Sequence, residues 1–225
     1  DFDGVFADYA AVAERQLLIV PDHVTNDEAG LLQVLGTCVH AVATAQVLPG
    51  DTAVVFGLGV AGQLLVQLLA SSGARVIGIT RSQSKRDLAA RLGAHITATP
   101  DEAAAVVADA TDGRGANVVI EAVGTEATFG QAIELAGHAG TVVLYGTATG
   151  GGNGLPYYQL YFKELTIRNP RAATKSDYQR AIDLVANGTI KAAPIVSRRF
   201  GLSEANDAFA AVGESSTLKV LMHTA

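Results

Sequence analysis

The amino-acid sequence predicts an α/β protein whose core is a parallel β-sheet covered by helices on both faces. Between Asp51 and Ile167, short runs of Val, Ile and Leu alternate with segments of helical periodicity. This alternation is typical of βαβ units, in which helices connect parallel strands. The runs are apolar at successive positions, as expected for strands that are buried on both faces.

The predicted elements follow in order from these runs. We predict strands at residues 52–56, 75–80, 96–98, 117–122, 141–145 and 165–167, with helices at 60–72, 84–92, 101–110 and 127–136. Residues 2–21 are predicted to form short strands or loop, and residues 26–47 a helix capped by Asn26. Residues 150–154 form a glycine-rich loop, residues 175–187 a helix that ends at Gly188, and residues 203–212 a helix capped by Ser203.

The composition argues against several classes of function. Apolar residues make up 49% of the chain and charged residues 17%, which indicates a folded globular protein. The formal net charge is -6 and no Lys/Arg cluster is present, which argues against nucleic-acid binding. The single cysteine, Cys38, excludes a disulfide framework or a Cys-rich zinc site and indicates a reducing, cytoplasmic compartment. No apolar run reaches the roughly 20 residues of a membrane span, and no signal peptide is visible.

The most informative motif lies between the first predicted strand and its helix, where the sequence reads GLGVAG. A GxGxxG spacing in this strand–turn–helix context is typical of the Rossmann dinucleotide-binding fold. The first glycine permits the tight turn, the second lets a pyrophosphate approach the backbone, and the third lets the helix lie close to the strand. The alternatives are a turn without a ligand and a methyl-donor enzyme of related fold. The residues expected to bind the dinucleotide here are Gly57, Gly59, Val60, Ala61 and Gly62.

The end of the second predicted strand favours NADP(H) over NAD(H). NAD-binding domains place Asp or Glu at this position to accept hydrogen bonds from the adenosine ribose, whereas this chain has Thr80. Arg81, Ser82 and Lys85 follow, and a guanidinium binds a 2′-phosphate that a carboxylate would repel. The alternative is that Arg81 and Lys85 belong to a solvated face of the next helix.

Several further segments, taken in order, carry a family resemblance. They are residues 3–9 (DGVFADY), 48–59 (LPGDTAVVFGLG), 91–94 (RLGA), 119–124 (VIEAVG), 200–209 (FGLSEANDAF) and 218–221 (LKVL). Together they resemble the medium-chain dehydrogenase/reductase superfamily, which includes zinc alcohol dehydrogenases and zinc-free quinone reductases. The resemblance implies a Rossmann doubly wound parallel sheet at residues 35–167. Fragments of a GroES-like substrate domain would lie at residues 1–34 and 168–225.

The resemblance also implies further site residues. A threonine in the helix before the first strand would sit near the nicotinamide, and is the candidate catalytic residue. Backbone groups after the fourth and fifth strands would line the cofactor, and a C-terminal lysine would approach the pyrophosphate. These residues are Thr37, then Gly124, Tyr145, Gly146 and Thr147, and finally Lys219.

This chain differs from the zinc-dependent members of the superfamily at the position of a zinc ligand. They have Cys, Asp or Glu where this chain has Gln33, and a carboxamide is a poor zinc ligand. The other expected ligands, a Cys and a His-Glu pair, would lie upstream of residue 1, and the five histidines show no ligand spacing. We therefore predict no metal site in this chain, and a catalytic zinc only through residues absent from it. Tyr157, Tyr158 and Tyr161 are expected to be packing residues in the loop before the sixth strand, the alternative being that they donate to a substrate oxygen.

These observations predict an oxidoreductase that transfers hydride between NADP(H) and a small alcohol, aldehyde or ketone. One alternative is a zinc-free quinone or enone reductase, which Gln33 would fit; another is a non-catalytic NADP(H)-binding module. We expect the chain to begin inside the substrate domain, so that alone it binds NADP(H) but transfers hydride slowly or not at all. We expect a small-molecule substrate, no nucleic-acid or membrane partner, and a homo-oligomer.

Overall fold

The main sheet is a parallel sheet of the doubly wound type. A computed structural model of the protein describes residues 6–147 and 156–224. Its main strands are β1 (Thr52–Phe56), β2 (Arg75–Ile79), β3 (Ile96–Ala98), β4 (Ala116–Glu121), β5 (Ala136–Leu144) and β6 (Thr166–Arg168). They run parallel in the order β3-β2-β1-β4-β5-β6. The order reverses between β1 and β4, where sheets of this type bind ligands at the carboxyl ends of their strands. The predicted fold class is confirmed.

Helices cover both faces of this sheet. The helices of the described residues are α1 (Asn26–Ala29), α2 (Leu32–Ala45), α3 (Val60–Ser71), α4 (Gln83–Arg91), α5 (Ala103–Ala110), α6 (Glu126–Leu135), α7 (Tyr157–Phe162), α8 (Lys175–Ala186) and α9 (Ala205–Val212). Of these, α9 packs on a smaller second sheet. Ala53 and Val55 of β1 lie in one apolar cluster with α2, α3 and α8, while Val54 and Phe56 lie in another with α5 and α6. Because successive side chains of a strand point to opposite faces, burial on both faces explains the uninterrupted apolar runs.

The predicted helix at residues 26–47 is two helices, α1 and α2. Thr25, and not Asn26, caps α1: its hydroxyl accepts from the N–H of Glu28, whose carboxylate accepts in return from the N–H of Thr25. This reciprocal pair is a capping box, so the predicted cap was wrong by one residue. Ser203 does not cap α9 either, because it lies inside the 3-10 turn Leu202–Glu204 that precedes the helix.

The prediction for the tyrosines before β6 was also wrong. Tyr157, Tyr158 and Tyr161 lie on α7, and between 67% and 82% of each residue is exposed. The aromatic run YYQLYF lacks the amphipathic period that identifies a helix. Instead, contacts at its end hold α7: the N–H of Ala139 donates to the carbonyl of Lys163, at 2.7 Å.

A second, smaller sheet lies near the C-terminus, where β7 (Val196–Gly201) pairs in parallel with β8 (Lys219–His223). The glycine-rich loop predicted at residues 150–154 lies outside the described residues. Residues 6–21 contain a 3-10 turn, Glu14–Gln16, and no strand. Among the helices of the described residues, none has the length and apolarity needed to cross a bilayer.

Candidate active site

The glycine turn leaves β1 at the point where the strand order reverses. Gly57 has a φ of +100°, and a Cβ there would lie 2.7 Å from the side chain of Val123. Its N–H donates to the carbonyl of Ile79 at 2.8 Å, which extends the pairing with β2 into the turn. Leu58 is buried against Gly78, where a Cβ would lie only 3.1 Å from the leucine side chain. The glycine inside β2 therefore makes room for the side chain that anchors the turn.

The other two glycines of the turn differ in what surrounds them. A Cβ on Gly62 would lie 2.0 Å from the carbonyl oxygen of Gly57, so α3 presses directly on the turn. A Cβ on Gly59 would meet no atom within 4 Å, and its backbone is extended, with φ at -72°. The fold therefore does not require glycine at position 59, and the open space is available to a ligand.

The first turn of α3 faces this space with unpaired donors. Gly59 caps the helix without a side-chain hydrogen bond, and the N–H of Gln63 is the first to find an intrahelical acceptor. No acceptor among the described residues serves the N–H groups of Val60 and Ala61. Such an uncapped helix N-terminus is suited to an anion such as a pyrophosphate.

A cleft of about 460 Å³ opens from the turn along the ends of β1, β2 and β4. Arg81 is exposed and Lys85 half-buried, and neither side chain has a hydrogen-bond or ion-pair partner within residues 6–147 and 156–224. The cleft therefore carries positive charges that no carboxylate of the described chain neutralises. The predicted site residues in its wall are Gly57, Gly59, Thr80, Arg81 and Lys85.

A buried glutamine joins the two halves of this cleft. Gln63 is fully buried, and its Nε2 donates to the carbonyl of Leu58 at 3.2 Å and to that of Lys85 at 2.9 Å. One amide therefore fixes the glycine turn relative to the first turns of α4. Sequence reasoning missed Gln63, although two glutamines one turn apart in an otherwise apolar helix, Gln63 and Gln67, were a usable signal.

A buried carboxylate shapes the loop after β4. Glu121 is only 2% exposed, and it accepts hydrogen bonds from the N–H groups of Val123 and Gly124 and from the hydroxyl of Thr128. These bonds turn the chain sharply between β4 and α6, where Gly124 has a φ of +88°. The sequence analysis placed Glu121 within a family motif but gave it no role.

The loops after β4 and β5 touch backbone to backbone. A Cβ on Gly146 would lie 2.3 Å from the nitrogen of Gly124, and a Cβ on Gly124 would lie 3.0 Å from that of Thr147. Three of the predicted site residues therefore lie together beside the cleft, and the contact has room only for glycine.

Tyr145 connects this region to α2 through its side chain, although only its backbone was expected to take part. Its hydroxyl lies 2.7 Å from Oγ1 of Thr37, which itself donates to the carbonyl of Val34, so the tyrosine is the donor between the two. Burial, together with neighbouring Cys38, raises the pKa of Tyr145, which keeps the phenol neutral. Burial raises the pKa of Cys38 to about 12, and this thiol is fully buried, as its predicted packing role requires.

The two remaining predicted site residues, Ser82 and Lys219, also lie outside the cleft wall. Ser82 is the cap residue of α4, and its Oγ lies 3.1 Å from that of Ser84. Lys219 begins β8 and pairs with Val196 in the smaller sheet. Their contacts with a cofactor remain predictions.

A zinc site is not formed by the residues that the structure describes. Among residues 6–147 and 156–224, no group of three or more His, Cys, Asp or Glu side chains is placed to hold a metal ion. Gln33, at the position of the family's zinc ligand, is exposed near the start of α2. A lone carboxamide does not hold zinc.

Comparisons with known proteins agree with this architecture. The protein named Probable D-xylulose reductase A, from Emericella nidulans, is 31% identical over 228 residues, which cover 98% of this chain. A zinc-binding dehydrogenase of Sinorhizobium meliloti, solved with NADP bound, is 34% identical, with a TM-score of 0.89 over 98% of this chain and 66% of that one. The alcohol dehydrogenase TADH of a Thermus species is 27% identical, with a TM-score of 0.85 over 90% of this chain and 60% of its own.

These comparisons also fix the extent of the match and the family. The chain spans 63% of the length of the D-xylulose reductase relative. The family model for zinc-binding dehydrogenases matches residues 60–187, from the N-terminus of α3 to the residue after α8. The chain therefore belongs to the zinc-binding dehydrogenase family.

Proposed function

We propose that this protein is an oxidoreductase that transfers hydride between NADP(H) and a small alcohol, aldehyde or ketone. The observation that carries the cofactor proposal is the pair of unpartnered cations, Arg81 and Lys85, beside Thr80 in the cleft. A carboxylate at position 80 would bind the two hydroxyls of an NAD ribose and repel a 2′-phosphate. Hydroxyl and guanidinium groups instead suit the phosphate.

The described residues fit a dinucleotide along the whole cleft. The uncapped N-terminus of α3, at Val60 and Ala61, would bind the pyrophosphate, and the open space at Gly59 would let it approach. Gly124, Gly146 and the Thr37–Tyr145 pair would form the wall on the nicotinamide side. Bound there, the nicotinamide would supply or accept the hydride. The chain's own residues would orient its ring and exclude water.

A second candidate, a zinc-free quinone or enone reductase, is favoured by Gln33 and by the poor fit of the described residues to zinc. A turnover assay with alcohols and quinones, before and after dialysis against a chelator, separates the two. Alcohol oxidation lost on dialysis would favour a zinc enzyme, whereas quinone reduction that survives dialysis would favour the second candidate. The division into a Rossmann domain at residues 35–167 and substrate-domain parts on either side remains a prediction.

The cofactor proposal is tested with Arg81→Ala. We expect NADPH affinity to fall about tenfold or more, from the loss of a charge-assisted bond to the phosphate, with little change for NADH. Arg114→Ala is the matched control, because Arg114 is an exposed arginine just before β4, at the amino ends of the strands, and Asp112 is its side chain's one partner among the described residues. Equal losses for both cofactors, or a wild-type preference for NADH, would overturn the proposal.

A further inference from the structure

Arg86 reaches back from α4 to the turn that precedes the helix. Its Nη1 donates to the carbonyl of Thr80 at 2.7 Å and to that of Arg81 at 2.9 Å. Its Nη2 donates to the side chain of Gln83 at 2.5 Å. Because helical side chains point toward the N-terminus, a residue in the second turn is well placed to hold the carbonyls just before the helix.

Arg86 therefore differs from the other cations of this region. The donors of Arg81 and Lys85 are unengaged among the described residues, whereas those of Arg86 are directed at backbone oxygens. A positive charge near a helix N-terminus is disfavoured by the helix dipole. The carbonyls of Thr80 and Arg81 offset this cost, so the side chain is held where it is by the turn.

The hydrogen bonds of Arg86 also orient the N–H groups of the turn, because the peptide bond is planar. In a trans peptide, the carbonyl oxygen of one residue and the N–H of the next point in opposite directions. Holding the carbonyls of Thr80 and Arg81 on Arg86 turns the N–H groups of Arg81 and Ser82 away from it. Neither N–H has an acceptor among the described residues. The turn thus presents two free donors beside the side chain of Arg81.

We propose that Arg86 is a positioning residue for 2′-phosphate recognition, acting through the turn at residues 80–82 without touching the phosphate. The inference rests on the proposed NADP(H) function and deepens it. Free carbonyls at this turn would be able to rotate toward the phosphate and repel it, and Arg86 prevents that rotation. Cofactor preference then depends on a residue behind the cleft as well as on the residues in its wall.

The test measures the binding of NADPH, NADH, 2′,5′-ADP and 5′-AMP by calorimetry. Arg86→Met is expected to lower the affinity for NADPH and 2′,5′-ADP about tenfold and to leave the affinity for NADH and 5′-AMP nearly unchanged. Arg86→Lys keeps the charge but lacks the planar fork that spans two carbonyls, so most of the loss should remain. Arg91→Met is the control, because this exposed arginine lies in the last turn of the same helix.

A double mutant separates positioning from direct contact. In an Arg81→Met background, Arg86→Met should weaken the binding of 2′,5′-ADP by a smaller factor than in wild type. The two effects overlap because Arg86 acts by positioning the turn that carries Arg81. Additive effects, or full recovery with Lys, would overturn the proposal. If Arg86→Met destabilises the chain, Arg86→Lys and Arg86→Gln provide the same comparison. Wild-type preference for NADH would overturn the proposed function itself, whereas a ratio of NADPH to NADH affinity that is undiminished in every Arg86 variant would overturn only this inference.

Discussion

Gly59→Val separates the ligand-binding role of the glycine turn from its structural role. A Cβ at position 59 meets no atom within 4 Å, and the extended backbone there accepts any residue. The added side chain would nevertheless occupy the space in front of the N–H groups of Val60 and Ala61. We therefore expect a folded protein that has lost cofactor binding.

The size of the loss follows from the donors that the valine would block. Two charge-assisted hydrogen bonds are worth at least about 3 kcal/mol together, which is on the order of 100-fold in the dissociation constant. At an NADPH concentration of roughly 100 times the wild-type Kd, binding stabilises wild type by about 2.7 kcal/mol and the variant by about 0.4 kcal/mol. For a chain of this size these values correspond to shifts in Tm of roughly 5–11 °C and about 1–2 °C.

The assay is a thermal melt of each protein with and without NADPH. Gly130→Val is the matched control, since a Cβ at that position also meets no atom within 4 Å and the residue lies outside the cleft wall. Without cofactor, all three proteins should melt at similar temperatures. A variant at position 59 that keeps the wild-type NADPH shift would show that the space beside the turn is not the pyrophosphate site.

Two further substitutions test contacts that hold the glycine turn and the end of α6. Gly62→Ala places a Cβ 2.0 Å from the carbonyl oxygen of Gly57, so it should destabilise the protein without cofactor by about 1–3 kcal/mol; an unchanged melt would contradict this contact. Lys163→Met removes an ammonium that donates to the carbonyls of Ile133, Glu134 and Ala136 at the end of α6. The expected loss is about 1.5–3 kcal/mol by denaturant unfolding, and Lys191→Met, at an exposed lysine, is the control that should lose little.

The main sheet was predictable because its signal is local and repeated. The strands at the centre of the sheet contain short apolar runs, because helices bury both of their faces. The errors lie where tertiary contacts decide the local structure. β5 begins at Ala136, five residues before the predicted start, where its pairing with β4 has an irregular register. The apolar periodicity of a sequence does not indicate such a shift in register.

The residues in the wall of the candidate site were predictable for a different reason. Glycines and charges at fixed offsets from a strand end follow from backbone geometry and from the charge of the ligand, and Gly57, Gly59, Thr80 and Arg81 line the cleft as expected. Residues that act on the backbone from behind the cleft were missed. Gln63 donates to the carbonyl of Lys85, 22 residues away along the chain, so no spacing in the sequence identifies that partner. Glu121 accepts from the N–H groups of Val123 and Gly124, which are close in sequence, but its own position inside a buried strand gave no sign of this role.

This division suggests how cofactor preference is built in the chain. Under the proposed function, the wall of the cleft would supply the charges that discriminate between cofactors, whereas Arg86 and Gln63 hold the backbone from which those charges project. Gln63 reaches both the glycine turn and α4, so the pyrophosphate and 2′-phosphate positions are held at one separation. A cofactor that carries both phosphate groups binds best when the two protein segments already lie at the matching distance, since moving either segment on binding costs binding energy. A change in preference made only in the wall would therefore keep this separation, while a substitution of Gln63 would affect both ends of the adenosine site together.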